Sequence, residues 1–185
     1  MKPYHNNTIP LEAQYLYQRG MEMVSLKRTD AALICFRQAV FIAPGFSRAY
    51  RELGDCLLRL GRSEEAIEAY DKALERYGGD HLILYNKGIS LMKLGRFDEA
   101  LKVFDKSIEE YPNYAQAWNN KSWIFRQTGR FEEAKRATAR AIEIDPDMVV
   151  PDYCSARDAA TLGDKASALE YLRRVAKRMP DLEEK

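Results

Sequence analysis

The sequence has few of the residues on which metal sites and disulfide frameworks are built. Its 185 residues include two histidines and three cysteines, and Cys35, Cys56 and Cys154 are far apart with no CxxC spacing. An odd number of scattered cysteines suggests neither a disulfide framework nor a zinc site. His5 and His81 have no second histidine or cysteine nearby in sequence. We therefore expect reduced thiols and no bound metal.

The sequence also lacks a large net charge and long apolar runs. Lys and Arg number 29 against 28 Asp and Glu, which leaves a net charge of +1 and no general attraction to nucleic acid or to an anionic membrane. No apolar run approaches the roughly 20 residues of a membrane helix, and MKPYHNNTIP lacks the apolar core of a secretory signal. We expect a cytoplasmic protein with no membrane partner.

Signatures of catalysis are missing as well. The sequence contains no Gly-rich phosphate loop, no HExxH motif and no nucleophile elbow. Its carboxylates lie in runs such as SEEAIEAYDKALE, where opposite charges three or four residues apart stabilise a helix surface. The sequence therefore predicts a protein that is not an enzyme and that needs no cofactor.

What the sequence does contain is an internal repeat. The segments LGRSEEA from Leu60, LGRFDEA from Leu94 and TGRFEEA from Thr128 are each displaced by 34 residues, and LGDKASA from Leu162 is a weaker copy. The period extends over residues 13–182 without insertion. The five predicted units, which form one solenoid domain after a flexible lead-in of residues 1–12, are 13–46, 47–80, 81–114, 115–148 and 149–182.

Each unit is predicted to be a helical hairpin. Segments such as HLILYNKGISLMKL and DEALKVFDKSIEEY repeat apolar residues at spacings of three and four, which indicates amphipathic helices. The first helix is expected to end at a residue that tolerates the left-handed conformation; these residues are Gly61, Gly95, Gly129 and Gly163. Proline recurs at the end of the second helix, as Pro44, Pro112, Pro146 and Pro180. Gly20, Gly54 and Gly88 recur within first helices, where we expect them to allow close helix approach.

The segment YRELGDCLLRLGRSEEAIEAYDKAL carries the aromatic, Leu-Gly, alanine and second aromatic positions of this pattern together. In this combination the chain resembles the tetratricopeptide repeat family of 34-residue helix-turn-helix units. The resemblance implies an all-α fold, a right-handed α-solenoid of stacked hairpins. Ser122 and Ala156 stand in the glycine position of the fourth and fifth units, and Asp152 replaces a bulky residue in the fifth.

The resemblance also implies a concave groove lined by the second, fifth, sixth, ninth, twelfth and thirteenth positions of each unit. Asn86 and Asn120 share the sixth position, and helix packing leaves Asn86 without a role. First helices about 10 Å apart would let the two amides hold an extended peptide, which rises about 3.3 Å per residue, at every third residue. Arginines would select carboxylates, and aromatic rings would bind apolar side chains. The predicted groove residues are Arg48, Arg51, Tyr85, Asn86, Asn119, Asn120, Trp123, Arg126, Tyr153 and Arg157.

Plainer explanations of these residues stay open. The asparagines and arginines also fit a solvated surface, and Trp123 also fits packing within its hairpin. A clamp for a partner's C-terminal carboxylate, known in the family, is disfavoured because Asp55 replaces the asparagine that it needs. Glu52 and Asp55 also interrupt the basic patch, which argues against nucleic acid. The expected partner of the groove is an acidic peptide or protein segment with interspersed hydrophobic residues.

A second hypothesis is an assembly module that acts through its ends or its convex face. The last helix carries Tyr171, Leu172 and Val175, which one preceding hairpin does not cover if the helix is amphipathic. The hypothesis predicts a homodimer through the C-terminal repeat, or docking into a larger complex.

Overall fold

The structure is a computed structural model that describes residues 9–77, 79–148 and 165–178. Over these ranges the chain forms helices and no strands. The chain divides into two compact units, Met1–Glu110 and Tyr111–Lys185. Unit 1 contains α1 (Leu11–Ser25), α2 (Thr29–Ile42), α3 (Ser47–Arg59), α4 (Ser63–Tyr77), α5 (His81–Lys93) and α6 (Phe97–Glu110). In unit 2 the helices of the described residues are α7 (Ala115–Gln127), α8 (Phe131–Ile144) and α9 (Lys165–Arg178).

The helices follow the 34-residue period. First helices begin at Ser47, His81 and Ala115, each 34 residues after the one before. Second helices keep the same interval and begin at Thr29, Ser63, Phe97, Phe131 and Lys165. The fold class, an all-α solenoid of helix-turn-helix hairpins, is thus confirmed. Helix α1 starts at Leu11, so two residues that we assigned to the lead-in are helical. The first helix of the fifth predicted unit lies outside the described residues.

The turns between the two helices of a hairpin use the left-handed conformation, as predicted. The φ angles of Gly61, Gly95 and Gly129 are 75°, 73° and 73°. In the first hairpin the same position is occupied by Lys27, which has a φ of 57°. A side chain in this conformation brings its Cβ close to the backbone, and this strain makes Lys27 a weak point of the first turn. Gly163 lies outside the described residues.

We expect Lys27→Gly to raise the free energy of unfolding by about 0.5–1 kcal/mol, because glycine adopts this conformation without the Cβ penalty. Urea unfolding followed by circular dichroism measures the change. Gly61→Ala is the matched reverse variant, since a Cβ at Gly61 has no heavy atom within 4 Å and only the backbone conformation opposes it. An unchanged or lower midpoint for Lys27→Gly would show that the first turn is not strained.

Within each hairpin of unit 1, a glycine of the first helix lies against an aromatic ring of the second. A Cβ added to Gly20 would lie 2.5 Å from the ring of Phe36, and one added to Gly88 would lie 2.5 Å from Phe104. Gly54 has the same relation to Tyr70, at 2.6 Å. These three rings are fully buried. The predicted close approach of the two helices is confirmed. The aromatic ring occupies the space that a side chain at the glycine position would fill.

The fourth hairpin solves the same packing problem with polar groups. Ser122 stands in the glycine position, and the residue opposite it is Thr138 rather than an aromatic ring. The two hydroxyl oxygens lie 2.6 Å apart, and Ser122 Oγ also donates to the carbonyl of Ala134 at 2.9 Å. A larger residue in the first helix is therefore accompanied by a smaller one in the second.

In unit 1 each hairpin packs against the next, α2 on α3 and α4 on α5. This stacking buries Ala49 and Ile83 on the starting turns of α3 and α5. Arg37 of α2 pairs with Glu65 of α4 at 2.7 Å, and Lys87 of α5 pairs with Asp71 of α4 at 2.5 Å. Helix α3 also contacts α5 directly. Helices α3 and α5 therefore lie side by side and present their groove positions together.

Candidate functional site

We use the term inner face for four of the predicted groove positions, the second, fifth, sixth and ninth, in each of the three repeats of unit 1. It consists of Gln14, Tyr17, Gln18 and Met21 on α1, Arg48, Arg51, Glu52 and Asp55 on α3, and Leu82, Tyr85, Asn86 and Ile89 on α5.

A hydrogen-bond network centred on Asp55 of the inner face joins α3, α4 and α5. Asp55 Oδ1 accepts a hydrogen bond from Tyr70 Oη of α4 at 2.7 Å and another from Asn86 Nδ2 of α5 at 2.8 Å. Asn86 therefore has a structural partner, which sequence reasoning did not give it. Among the described residues its amide oxygen accepts no hydrogen bond. The amide side chain thus links neighbouring hairpins through its nitrogen while its oxygen is left for another donor.

The electrostatics of this network follow from burial. Burial raises the pKa of Asp55, and the nearby Glu52 raises it further, while the hydrogen bonds from Tyr70 and Asn86 and the charge of Arg51 oppose the shift. Burial and the adjacent Asp55 also raise the pKa of Tyr70, so its hydroxyl stays protonated and donates. The Tyr70 hydroxyl is therefore the donor of its hydrogen bond with Asp55.

The two arginines that α3 contributes to the inner face, Arg48 and Arg51, differ in their partners. Arg51 donates to Glu52 Oε1 through Nη2 at 2.7 Å and through Nε at 3.2 Å. Glu52 is buried, so this carboxylate compensates the Arg51 charge locally. Arg48 is exposed, and its guanidinium carbon lies 6.0 Å from the centre of the Phe46 ring. Of these two arginines, Arg48 is therefore the one whose charge is available to an acidic ligand.

The aromatic side chains of the inner face rest on the core. The Tyr17 ring lies 5.8 Å from Phe36 and 5.1 Å from Phe46, and the Tyr85 ring lies 5.8 Å from Phe104. Both tyrosines are half-buried. Their outer edges form apolar platforms that packing holds in place.

The predicted groove residues of α7 in unit 2 are not equally accessible. Asn119, Asn120 and Trp123 are half-buried. Arg126 is buried and donates from Nη2 to Thr138 Oγ1 at 2.8 Å, so it contacts the interior of its hairpin. Tyr153 and Arg157 lie outside the described residues. Asn86 and Asn120 belong to different units, and the spacing proposed between them stays a prediction.

Comparison with known proteins decides the family. The family model described as "Tetratricopeptide repeat" matches residues 8–81 and 85–149. The chain belongs to the tetratricopeptide repeat family. Small glutamine-rich tetratricopeptide repeat-containing protein 2 of Saccharomyces cerevisiae is 37% identical over 70 residues, which are 38% of this chain and 20% of that protein. Its counterpart in Mycosarcoma maydis is 36% identical over 66 residues, 36% of this chain and 19% of that protein. The chain thus matches about a fifth of the length of these curated relatives.

Solved structures agree on the fold. MamA 41-end from Desulfovibrio magneticus RS-1 has a TM-score of 0.87 at 18% identity, over 94% of this chain and 98% of that chain. YrrB, described as a TPR protein with an unusual peptide-binding site, has a TM-score of 0.75 at 22% identity, over 91% of this chain and 87% of that chain. At these identities the likeness shows the fold alone. The tetratricopeptide fold implies a protein-protein interaction scaffold.

Sequence reasoning missed the role of Asp55 and Tyr70. One signal was present in the sequence. The first and third repeats have Phe36 and Phe104 where the second repeat has Tyr70, and a hydroxyl at such a buried position needs an acceptor. Asp55 lies one residue after the glycine on which that ring packs. The acceptor was therefore available within the same hairpin.

The described residues offer neither a metal site nor a membrane-spanning helix. No group of three or more His, Cys, Asp or Glu side chains there is placed to hold a metal ion. No helix in the described ranges has the length and apolar character needed to cross a bilayer. Cys35 and Cys56 are free and buried, and burial raises the pKa of the Cys56 thiol to about 11, so it is protonated at neutral pH. Cys154 lies outside the described residues.

Proposed function

We propose that this tetratricopeptide protein is a non-catalytic scaffold whose inner face binds an extended peptide or protein segment. One observation carries the proposal. Along α5, Leu82 is 43% exposed and Tyr85 and Ile89 are partly exposed, so an apolar strip on this helix stays accessible to a ligand. Arg48 occupies on α3 the position that Leu82 occupies on α5. The ligand chemistry that fits is an acidic segment with apolar side chains.

The hydrogen bonds of the inner face refine the roles of its polar residues. Since Asn86 Nδ2 is held by Asp55, the amide oxygen is the group that accepts from a peptide N–H. Since Arg51 is held by Glu52, we assign recognition of the ligand carboxylate to Arg48 rather than to Arg51. The peptide-binding site that names YrrB supports the same class of ligand.

A second candidate function is self-assembly through the C-terminal repeat. The observation in its favour is on α9, where Leu169 and Leu172 are 55% and 45% exposed. Apolar side chains on the last described helix favour a covering partner.

A selection from a random peptide display library, followed by calorimetric titration, tests the inner face. We expect selected peptides to carry acidic and apolar side chains. Their dissociation constants should be near the micromolar range, which corresponds to a binding free energy of about −8 kcal/mol. Arg48→Glu/Leu82→Ser should weaken binding by about tenfold or more, because it reverses the exposed charge and removes an apolar contact. Neither substitution touches the Asp55 network, unlike Asn86→Ala, which would also loosen the packing of hairpins.

The matched control is Lys102→Glu/Phe131→Ser, which makes the same changes of charge and polarity at exposed residues outside the inner face. It should bind selected peptides as the wild type does. Equal binding by both variants, or loss in the control alone, would show that peptides bind elsewhere.

A further inference from the structure

The first hairpin exposes apolar side chains on the side away from the second hairpin. Tyr15 and Leu26 of the α1 region are 62% and 60% exposed, and Ile34 and Phe41 of α2 are 58% and 86% exposed. In the second hairpin the positions of Tyr15 and Phe41 are Ala49 and Glu75. Ala49 is fully buried because α3 packs on α2. The first hairpin therefore presents a surface of the kind that hairpins in unit 1 use to pack on a preceding one.

The residues of α2 on this surface depart from the repeat. At the position of Ile34 the next three units have Glu68, Lys102 and Arg136, and at the position of Phe41 they have Glu75, Glu109 and Glu143. The charged residues are the usual solvated choice at these exposed places. The first hairpin has apolar residues at both positions, and Tyr15 of the same hairpin is also exposed. These side chains favour a partner that covers them.

The pattern along α1 identifies that partner. Tyr15, Arg19, Glu22 and Leu26 are spaced by four, three and four residues, which aligns them on one helix face. The order is apolar, positive, negative, apolar, and its spacing reads the same in both directions. When two such helices pack antiparallel about a point between residues 20 and 21, Tyr15 meets Leu26 of the other copy and Arg19 meets Glu22 of the other copy. The pattern is self-complementary, as a two-fold symmetric interface requires.

Within the described ranges, the two charged residues of this face, Arg19 and Glu22, have no competing charged partner. Arg62 with Glu65 and Arg96 with Glu99 form ion pairs at the same spacing of three residues. Arg19 and Glu22 pair with no charged group within the part of the chain that the structure describes. Both side chains are exposed. They are therefore available to a second copy.

We propose that α1 binds α1 of a second copy of this chain in antiparallel orientation, with Ile34 and Phe41 at the flanks of the contact. Apolar contacts supply most of the affinity, and the two reciprocal Arg19–Glu22 pairs set the register and orientation. This interface lies on the first hairpin and is separate from the inner face and from the C-terminal repeat.

A charge-swap series measured by analytical ultracentrifugation tests the proposal. The wild type should show a concentration-dependent monomer–dimer equilibrium. Arg19→Glu and Glu22→Arg each place like charges opposite one another twice, so each should raise the dimer dissociation constant by about tenfold or more. Arg19→Glu/Glu22→Arg restores both pairs and should restore the wild-type dissociation constant. Circular dichroism confirms equal helicity in all four proteins.

Further variants separate this interface from the alternatives. Phe41→Glu should weaken the dimer, and Leu169→Glu on α9 should leave it unchanged. A strict monomer at high concentration, a dimer that only the α9 variant weakens, or a double swap without rescue would each overturn the proposal. So would dimerisation that appears only after residues 1–8 are deleted, because that segment would then be the natural occupant of the surface.

Discussion

Gly88→Ala should lower the free energy of unfolding by about 1–3 kcal/mol through overpacking, even though alanine stabilises an isolated helix by about 1 kcal/mol relative to glycine. The new Cβ would lie 2.5 Å from Cε1 and 2.8 Å from Cζ of Phe104. That ring is fully buried and cannot move without separating α5 from α6. Steric exclusion therefore outweighs helix propensity at this position. Urea unfolding followed by circular dichroism measures the net effect.

The fourth hairpin supplies the control for this prediction. Gly88→Ser/Phe104→Thr imports the Ser122 and Thr138 combination, in which a small second residue makes room for the first. In a double-mutant cycle, Gly88→Ser should cost less in the Phe104→Thr background than in the wild type. A stabilised Gly88→Ala protein, or an additive cycle, would mean that the ring yields to the Cβ without cost.

Asp55→Ala should lower the free energy of unfolding by about 2–3 kcal/mol, because it leaves one buried and one half-buried donor without their acceptor. These donors are Tyr70 Oη and Asn86 Nδ2, which both point at Asp55 Oδ1. Asp55→Asn is the matched variant, since it keeps an oxygen in that place and removes only the ionisable group. It should cost less than Asp55→Ala. Equal losses for the two variants would show that the hydrogen bonds contribute little.

The same pair of proteins gives a pH test. The folded-state pKa of Asp55 is raised above its ordinary value, chiefly by burial. Below the ordinary value the carboxyl is protonated in both states, and as the pH rises to the folded-state pKa the unfolded chain ionises first. The free energy of unfolding of the wild type therefore falls across that window. Asp55→Asn shows no such fall from residue 55, because asparagine does not ionise. Urea unfolding over the acidic range should show that the free energy of unfolding of Asp55→Asn rises relative to that of the wild type as the pH rises. A difference independent of pH would contradict the shift.

Local chemistry explains how much of the fold was predictable. The signals that define a hairpin are local in the sequence: its turn glycine, its small residues and the 34-residue interval. The sequence therefore predicts the hairpins to within a few residues. Lys27 is the informative exception. It adopts the left-handed conformation because its neighbours in the chain impose the turn that glycine makes elsewhere, and its own residue type does not indicate it.

The candidate site was less predictable because its contacts join residues far apart in the chain. Asn86 was assigned to ligand binding since packing within its own hairpin left it unused, yet its partner Asp55 belongs to the preceding hairpin, 31 residues earlier. Arg51 and Arg48 looked equivalent as cations of one helix, and they differ because the neighbouring Glu52 is buried and held against Arg51. The repeat pattern names the groove positions. It does not give the hydrogen bonds that decide which atoms at those positions remain for a ligand.

The sequence by itself determined the family, the hairpins and the positions that face away from the core, because a periodic pattern of apolar and small residues dictates which helix faces are buried. Only the tertiary structure decided the partners of polar groups at those positions. A side-chain hydrogen bond needs its atoms within about 3 Å, and residues of different hairpins reach that distance only when the repeats stack.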